Sequence, residues 1–533
     1  MIRTLWTSIR AASVAILVAT GAHAQVGTVV DAESGRPIPS ARVQWTPEGA
    51  EEPAFTTETD AGGRFIVGAS WTDGGSVSVD VIGYQPAERP VPAARAAEWR
   101  FQLVRDPLNL EAVVVTASGR AQRLAEVAVP VTQVTAKDIE VSGQTSVDRL
   151  VLELPGVQQS PGIPTGQNVT IRGIGDQRVL ILVDGQPASG MLIEDRDLSR
   201  MSLAAVERVE VVKGPLSSLY GTDALGGVIN IVTKEPTRGF TMDARVLAGG
   251  LGRQEADVTL RGGGALRYRV TGAWREQEEV PGQNDTGALA RVWDLRSTLR
   301  WNREGSPLQL RADAVLLRER QRWPTGGGFN GFNDNRGITA WVEATRASLG
   351  GEFTARLLGQ DYSHLFRRAR GLQPIAGAND DLQQERFWRA TLAYGRDLGD
   401  HRIDVGVDGL SRAIESPDFI LEDRASDNQL ELYGQSQWQV GDQTTLSTGV
   451  RGVLNDRWGN TLAPSLGVTT LVGEALRLKA SAGPGFRAPS FKELAWDFSN
   501  IGAGYTVEGF ADLAPESSWN VSAGLEWAPL SGV

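Results

Sequence analysis

The chain has 533 residues and no cysteine. Disulfides, cysteine-ligated metal sites and thiol nucleophiles are therefore excluded. Histidine is scarce: His23 lies in a segment that reads as removed, which leaves His364 and His401. Neither stands in a spacing such as His-x-x-x-His, so both read as solvated or loop residues and no metal site is expected. Basic residues are outnumbered, 53 Lys and Arg against 64 Asp and Glu, for a net charge of −11. Nucleic acid demands a basic footprint and is not an expected partner. Long apolar runs are missing after the N-terminus, so no transmembrane helix is expected. A nucleophile elbow, a histidine-based triad and a P-loop lysine motif are missing as well. The chain does not read as an enzyme, and no cofactor is expected.

What is present is glycine (62 residues) and a tryptophan count (15) above that of tyrosine (7). Glycine suits tight turns and strands that alternate small with large residues. Transmembrane barrels escape hydropathy detection because only every second residue is apolar. Over residues 236–533 that alternation recurs. Trp293, Leu295, Leu299 and Trp301 alternate with Asp294, Arg296, Thr298 and Arg300. Leu308, Leu310, Ala312 and Ala314 alternate with Gln309, Arg311 and Asp313. Leu430, Leu432, Trp438 and Val440, and later Trp519, Val521, Leu525 and Trp527, repeat the pattern. A soluble antiparallel sandwich also alternates. It would rarely place Arg and Asp at successive inward positions, because unpaired buried charge is costly. The expected arrangement is a lipid-facing outside and a watery lumen. Gly441-Asp442 reads as a tight turn, and Trp323 to Phe332, rich in glycine, reads as a long loop. Short turns on one rim and long loops on the other are the habit of outer-membrane barrels.

Residues 1–24 read as a secretory signal. Arg3 and Arg10 supply positive charge, residues 11–19 a short apolar core, and Ala22-His23-Ala24 a small-x-small cleavage site. The core is short for a membrane anchor, the alternative. Residues 25–105 read as a small β-domain with turns at Ser34 to Pro39 and at Thr59 to Gly63. Gly27-Thr28-Val29-Val30-Asp31, Gly35-Arg36-Pro37-Ile38 and Thr59-Asp60-Ala61-Gly62-Gly63-Arg64-Phe65 resemble the carboxypeptidase-regulatory-like sandwich, a module without catalysis.

Residues 119–235 carry the most specific pattern. Val169 to Gly175 contains Arg172-Gly173, and Arg178 to Pro187 ends in an Asp184-Gly185 turn. Then come Glu207-Arg208-Val209-Glu210 and Lys213-Gly214-Pro215, followed by Tyr220-Gly221 and Gly226-Gly227-Val228-Ile229-Asn230-Ile231. On physical grounds this is a strand, a turn and a second strand. As a pattern it closely resembles the plug domain of TonB-dependent outer-membrane receptors. Gly485 to Leu494 and Leu513 to Glu516 resemble two barrel motifs of the same family. The resemblance implies a mainly β fold: a transmembrane antiparallel barrel, an α+β plug and the N-terminal sandwich.

Ahead of the plug, residues 106–118 form a linker with the β-prone run Glu111-Ala112-Val113-Val114-Val115-Thr116-Ala117. It reads either as one more sandwich strand or as a TonB box, which adds as a strand to a partner's sheet edge. Within the plug, Arg172, Asp184, Glu207, Glu210, Lys213 and Lys234 are candidates for charged contacts with the barrel, the alternative being ordinary surface charges. Tyr220, Gly221, Gly226 and Gly227 read as turn geometry.

The family's barrels have about 22 strands. At roughly 20 residues per strand and connection, residues 236–533 supply only about 15. The expectation is a C-terminally truncated chain, with a smaller complete barrel as the alternative, since an open sheet edge in lipid is not viable.

For function, the resemblance implies a Gram-negative outer-membrane importer. Extracellular loops and the plug apex would capture a scarce metal chelate such as a ferric siderophore, or cobalamin. TonB and its inner-membrane complex would supply the energy. Import of an oligosaccharide or peptide, or ligand-binding signalling, are the alternatives.

Overall fold

Two units make up the chain, residues 1–110 and 111–533. The computed structural model describes residues 25–527 apart from short internal stretches, chiefly 48–54, 68–74, 91–98, 104–112, 115–121, 161–167, 191–196, 278–288 and 375–379. The expected signal at residues 1–24 lies outside the described residues.

The first unit is a sandwich of a three-stranded and a four-stranded sheet. Arg42–Thr46 shows why it forms: Val43 and Trp45 point inward and Arg42 outward. The inward rows of both sheets, including Val29, Val43, Phe65, Val77, Val79 and Phe101, meet as one apolar core. Between them the Thr59 hydroxyl donates to the Ile38 carbonyl (2.7 Å) and accepts from the Ala41 amide (2.8 Å), which satisfies buried backbone.

The second unit contains an inner α+β domain. Its five-stranded sheet runs in the order Val131–Thr135, Val206–Lys213, Gly227–Thr233, Val179–Val183, Gln186–Pro187. Val179–Val183 and Gly227–Thr233 are buried along almost their whole length, which is why their sequences are continuous apolar runs rather than alternating ones. Helix Ala136–Ser142 is capped reciprocally by Thr135 and Asp138. The Thr135 backbone amide and hydroxyl both donate to the Asp138 carboxylate, which holds its pKa below the usual range. Val183 and Gln186 pair across a two-residue turn, Asp184 (φ 49°) and Gly185 (φ 74°), the geometry that Asp-Gly favours. At Gly227 (φ 149°) a Cβ would stand 2.4 Å from the Val212 carbonyl oxygen, so the close approach of the two central strands requires glycine.

Around this domain curves one antiparallel sheet of 14 strands, from Thr241–Ala248 to Glu516–Trp527, each paired with its sequence neighbour within the sheet. The first and last strands are not paired with each other among the described residues. Its alternation has the polarity expected for a lipid-facing wall. Trp293 is 54% exposed and Leu295 45%, while Asp294 and Arg296 between them are 4% and 8% exposed. Connections at one rim are short: 264–265, 303–307, 349–350, 399–400, 441–443 and 473–475. The opposite rim carries most of the longer ones, including 278–288, 371–380, 416–423 and 488–515. No helix among the described residues is long and apolar enough to cross a membrane.

Two expectations need correction. Trp323 to Phe332 is not a long loop: strands Leu308–Gly326 and Phe329–Ser348 meet across residues 327–328. Phe329–Ser348 is 20 residues long, about twice the 9–11 a bilayer requires, so these glycines lie in a hairpin that projects past the apolar band. His364 and His401 are not free loop residues. Each sits on a barrel strand, His364 Nδ1 2.8 Å from Asn335 Oδ1 and His401 Nε2 2.6 Å from Ser436 Oγ.

Candidate functional site

The inward side chains of the large sheet meet the inner domain through a series of polar contacts. Arg200, in the turn Leu198–Arg200, is buried and donates from Nε to Glu319 Oε2 (2.6 Å) and from Nη1 to the Tyr362 hydroxyl (2.8 Å). Glu319 also accepts from Asn335 (2.7 Å) and Gln321 (2.9 Å), so side chains of three residues donate to the carboxylate. Arg275 donates to the carbonyls of Ser199 and Arg200. Thr145 links to Glu255 (3.1 Å) and accepts from Arg253 (2.5 Å). The Gly190 amide donates to Glu385 (2.7 Å), and Gln360 donates to the Pro187 carbonyl (2.6 Å).

A second cluster forms at the Asp184 turn. The Asp184 carboxylate accepts from the Thr233 amide (2.8 Å) and hydroxyl (2.6 Å) and from Arg311 Nη2 (3.1 Å). Arg311 also pairs with Glu235 (3.0 Å), which follows the last inner strand, and with Asp313 (2.7 Å) on its own strand. A third cluster joins elements far apart in sequence. Arg178 grips Glu516 with two hydrogen bonds (2.9 and 2.7 Å). Arg487 bridges Glu516 (2.8 Å) and Glu493 (2.7 Å) and donates to Gln177 (2.6 Å). Both barrel motifs singled out in the sequence, one holding Arg487 and the other Glu516, thus converge on the start of an inner strand. Elsewhere Arg451, buried among Asp408 and Glu431, donates to the carbonyls of Ser218 and Leu219.

Of the charges expected to reach the wall, Asp184 does so through its carboxylate, and Lys234 through its backbone carbonyl, which accepts from Arg269 (2.5 Å). For the other four, the hydrogen bonds described lie within the inner domain. Arg172 and Gly173 form a left-handed turn (φ 52° and 81°) with Arg172 exposed, and Glu207 is exposed. Glu210 is fully buried and accepts from its neighbour Arg208 (2.7 Å). Lys213 donates to the Pro155 carbonyl (2.6 Å), and burial, then the nearby Arg172 guanidinium, push its ammonium below the ordinary lysine range. The Tyr220 hydroxyl is buried without a hydrogen-bond partner among the described residues, and burial, then the Glu210 carboxylate, push it up. Gly214, at φ 127°, approaches the wall closely: a Cβ there would lie 3.2 Å from Asn520 Nδ2. Gly221 (φ 79°) lies against Glu431, and Gly226 against Ile174. Pro215 lies outside the described residues, as do Glu111, Ala112, Val115, Thr116 and Ala117. Val113–Val114 form a short strand paired antiparallel with Gln122–Arg123.

One part of the seat is built differently. Ser436, Ser447, Thr448, Gly449, Ser465 and Gly467 face Lys213 and Gly214 across a cavity of about 110 Å³. Hydroxyls and glycines are too short to bridge the space, and the cavity has room for several waters. Among the described residues no group of three or more His, Asp or Glu could hold a metal ion.

Comparison with known proteins follows these boundaries. Residues 26–104 match the carboxypeptidase regulatory-like domain, 123–228 the TonB-dependent receptor plug domain, and 237–532 the TonB-dependent receptor-like β-barrel. The iron-regulated outer membrane virulence protein of Vibrio cholerae is 26% identical over 452 residues, 79% of this chain and 67% of that protein. The vitamin B12 transporter BtuB of Vibrio vulnificus is 28% identical over 405 residues, 72% of this chain and 64% of the relative. The chain thus spans about two thirds of the length of these relatives. Among solved structures, a mutant of the ferric enterobactin receptor PfeA of Pseudomonas aeruginosa superposes with TM-score 0.65 at 20% identity, covering 78% of this chain and 71% of the other. The siderophore receptor PirA of Acinetobacter baumannii gives 0.64 at 18% identity, covering 78% and 70%. These relatives are receptors and transporters rather than enzymes. With a plug match followed directly by a barrel match that covers more than half of its length, the chain belongs to the TonB-dependent receptor family.

Proposed function

We propose that the chain serves as an energised outer-membrane receptor. It captures a scarce, large ligand of the ferric-siderophore or cobalamin class at its longer-loop rim and admits it past the plug. The observation that supports this most directly is the chemistry of the plug seat. An interface of hydrogen bonds and ion pairs lets water replace each partner as it parts, whereas a packed apolar core resists sliding. Arg200 with Glu319, Asp184 with Arg311 and Arg178 with Glu516 make the plug removable without making it loose. The names of the relatives, a vitamin B12 transporter and ferric enterobactin receptors, favour this ligand class over oligosaccharides or peptides.

On this reading the segment Glu111 to Ala117 is the TonB box, presented to the periplasm for strand addition by the inner-membrane partner, and residues 1–24 direct export. The outward Leu and Trp rows face outer-membrane lipid. The test is deletion of Val113-Val114-Val115 in cells lacking other such receptors, with radiolabelled cyanocobalamin and ferric enterobactin as probes. Binding at the surface should persist while uptake is lost. Uptake retained in the deletion removes the TonB-box assignment, and binding of neither probe moves the reading to oligosaccharide or peptide import.

A further inference from the structure

The outer face of the sheet carries a cluster of arginines that the transport reading does not use. Cross-strand register places Trp274, Trp293, Arg318 and Arg336 side by side in one row. Trp293 is exposed and its ring lies 5.9 Å from that of Trp274. The row below, toward the short-turn rim, holds Leu295, Leu316 and Ile338, all exposed. The row above holds Arg320 opposite Asp334. Exposed tryptophans at the edge of an apolar band mark the level of the lipid headgroups. Trp301, eight residues further along the strand from Trp293, marks the other edge. Eight steps of about 3.4 Å, tilted by about 40°, span roughly 21 Å, close to the band of about 25 Å such barrels show.

Three guanidiniums, those of Arg318, Arg320 and Arg336, surround the single carboxylate of Asp334 at 3.9, 3.5 and 3.6 Å. Their side chains are 49%, 55% and 63% exposed. At those distances none is hydrogen-bonded to Asp334, and their side chains make no other hydrogen bond among the described residues. Neighbouring charges are matched: Arg291 is held by Glu276, and Asp361 by Arg386. The cluster therefore keeps a surplus of two positive charges and a set of free N–H forks on a chain whose net charge is −11.

We propose that Arg318, Arg320 and Arg336 form a binding site for the phosphate of an anionic lipid in the outer leaflet. Charge complementarity commits the site to a phosphate. Guanidinium forks match phosphate oxygens better than a lysine point charge does. The flanking tryptophans and the apolar rows below commit it to a lipid rather than a free anion, because only a lipid places acyl chains against Leu316 and Ile338 while its phosphate sits at the row above. Which leaflet it serves rests on the orientation adopted under the proposed function.

The test uses the full chain purified in a zwitterionic detergent, with lipid A added in mixed micelles and binding followed by native mass spectrometry. Arg318→Gln/Arg320→Gln/Arg336→Gln should bind lipid A at least about tenfold more weakly than the parent, since each basic residue near an anionic surface contributes severalfold. Arg346→Gln, at the opposite rim, should bind as the parent does. The triple Lys variant should retain part of the affinity, which separates loss of the fork from loss of fold, and strand content by circular dichroism checks all variants. Equal binding by parent and triple Gln variant overturns the proposal. So does equal binding of phosphatidylcholine, or displacement of lipid A by an equal concentration of inorganic phosphate, which would identify a free-anion site. None of these outcomes depends on uptake, so failure here and failure of the transport reading are distinguishable.

Discussion

Two parts of the plug seat hold the same domain by opposite means. At Arg200, Asp184 and Arg178, charged groups from plug and wall meet directly at 2.6 to 3.1 Å. Between Lys213 and the row Ser447, Ser465 and Gly467, the wall offers small hydroxyls and glycine, and a cavity separates them from the plug. The gripped part sets where the plug sits. The hydroxyl-lined part leaves space beside the plug into which it can shift. A seat that was gripped everywhere would resist release, and one lined everywhere by serines would not fix the plug at all.

The comparison breaks most readily at Arg200. Arg200→Ala removes the guanidinium that pairs with buried Glu319, a loss of about 3–5 kcal/mol. A thermal or denaturant melt in micelles reads it, and the double variant with Glu319→Gln should recover much of the loss. If Arg200→Ala melts like the parent, the grip does not carry the plug. A smaller effect is expected at Lys213, on the boundary of the cavity. Its pKa is lowered in the folded state, so the unfolded chain binds the proton more tightly. Stability should therefore rise with pH between the lowered folded value and the ordinary 10.5. Lys213→Met should flatten that rise relative to the parent, and an unchanged pH profile would remove the burial argument. The least effect belongs to the hydroxyl face. Ser465→Ala should change stability by no more than about 0.5 kcal/mol, and a larger loss would mean that ordered water binds the plug there.

How much of this was legible in the sequence follows from the range of the interaction. Alternation is local: Trp293 to Trp301 declared its lipid-facing and lumen-facing rows because each residue's face depends only on its neighbours. The Asp184-Gly185 turn was equally local. The strand count came close, about 15 expected against 14 in the sheet. Ion-pair partners were not legible. Arg178 and Glu516 are 338 residues apart, and Arg200 and Glu319 are 119 apart. Nothing in either neighbourhood names the other. Motif membership does not name a residue's role: Arg172 and Glu207 lie in the most recognisable stretches and both are exposed, while Arg200, outside those motifs, bonds to Glu319 and Tyr362. Trp323 to Phe332 was misread because glycine runs signal loops, and the strands' extension past the membrane carries no local mark.

The hairpin at the start of the second unit also has a mechanical meaning. A pull applied at Val113 enters a ladder of two residue pairs, Val113 with Arg123 and Val114 with Gln122, loaded so that the rungs part in succession, like a zipper. Next along the chain is Val131–Thr135, an edge strand with a single neighbour, paired from Val131–Val212 to Thr135–Arg208. Its end nearest the load is again the first to part, and only then does tension reach the cap of helix Ala136–Ser142. Val206–Lys213, flanked on both sides, remains as the anvil. Force delivered at one end of the plug would meet its weakest joints first, and the order of yielding is set by the order of the chain.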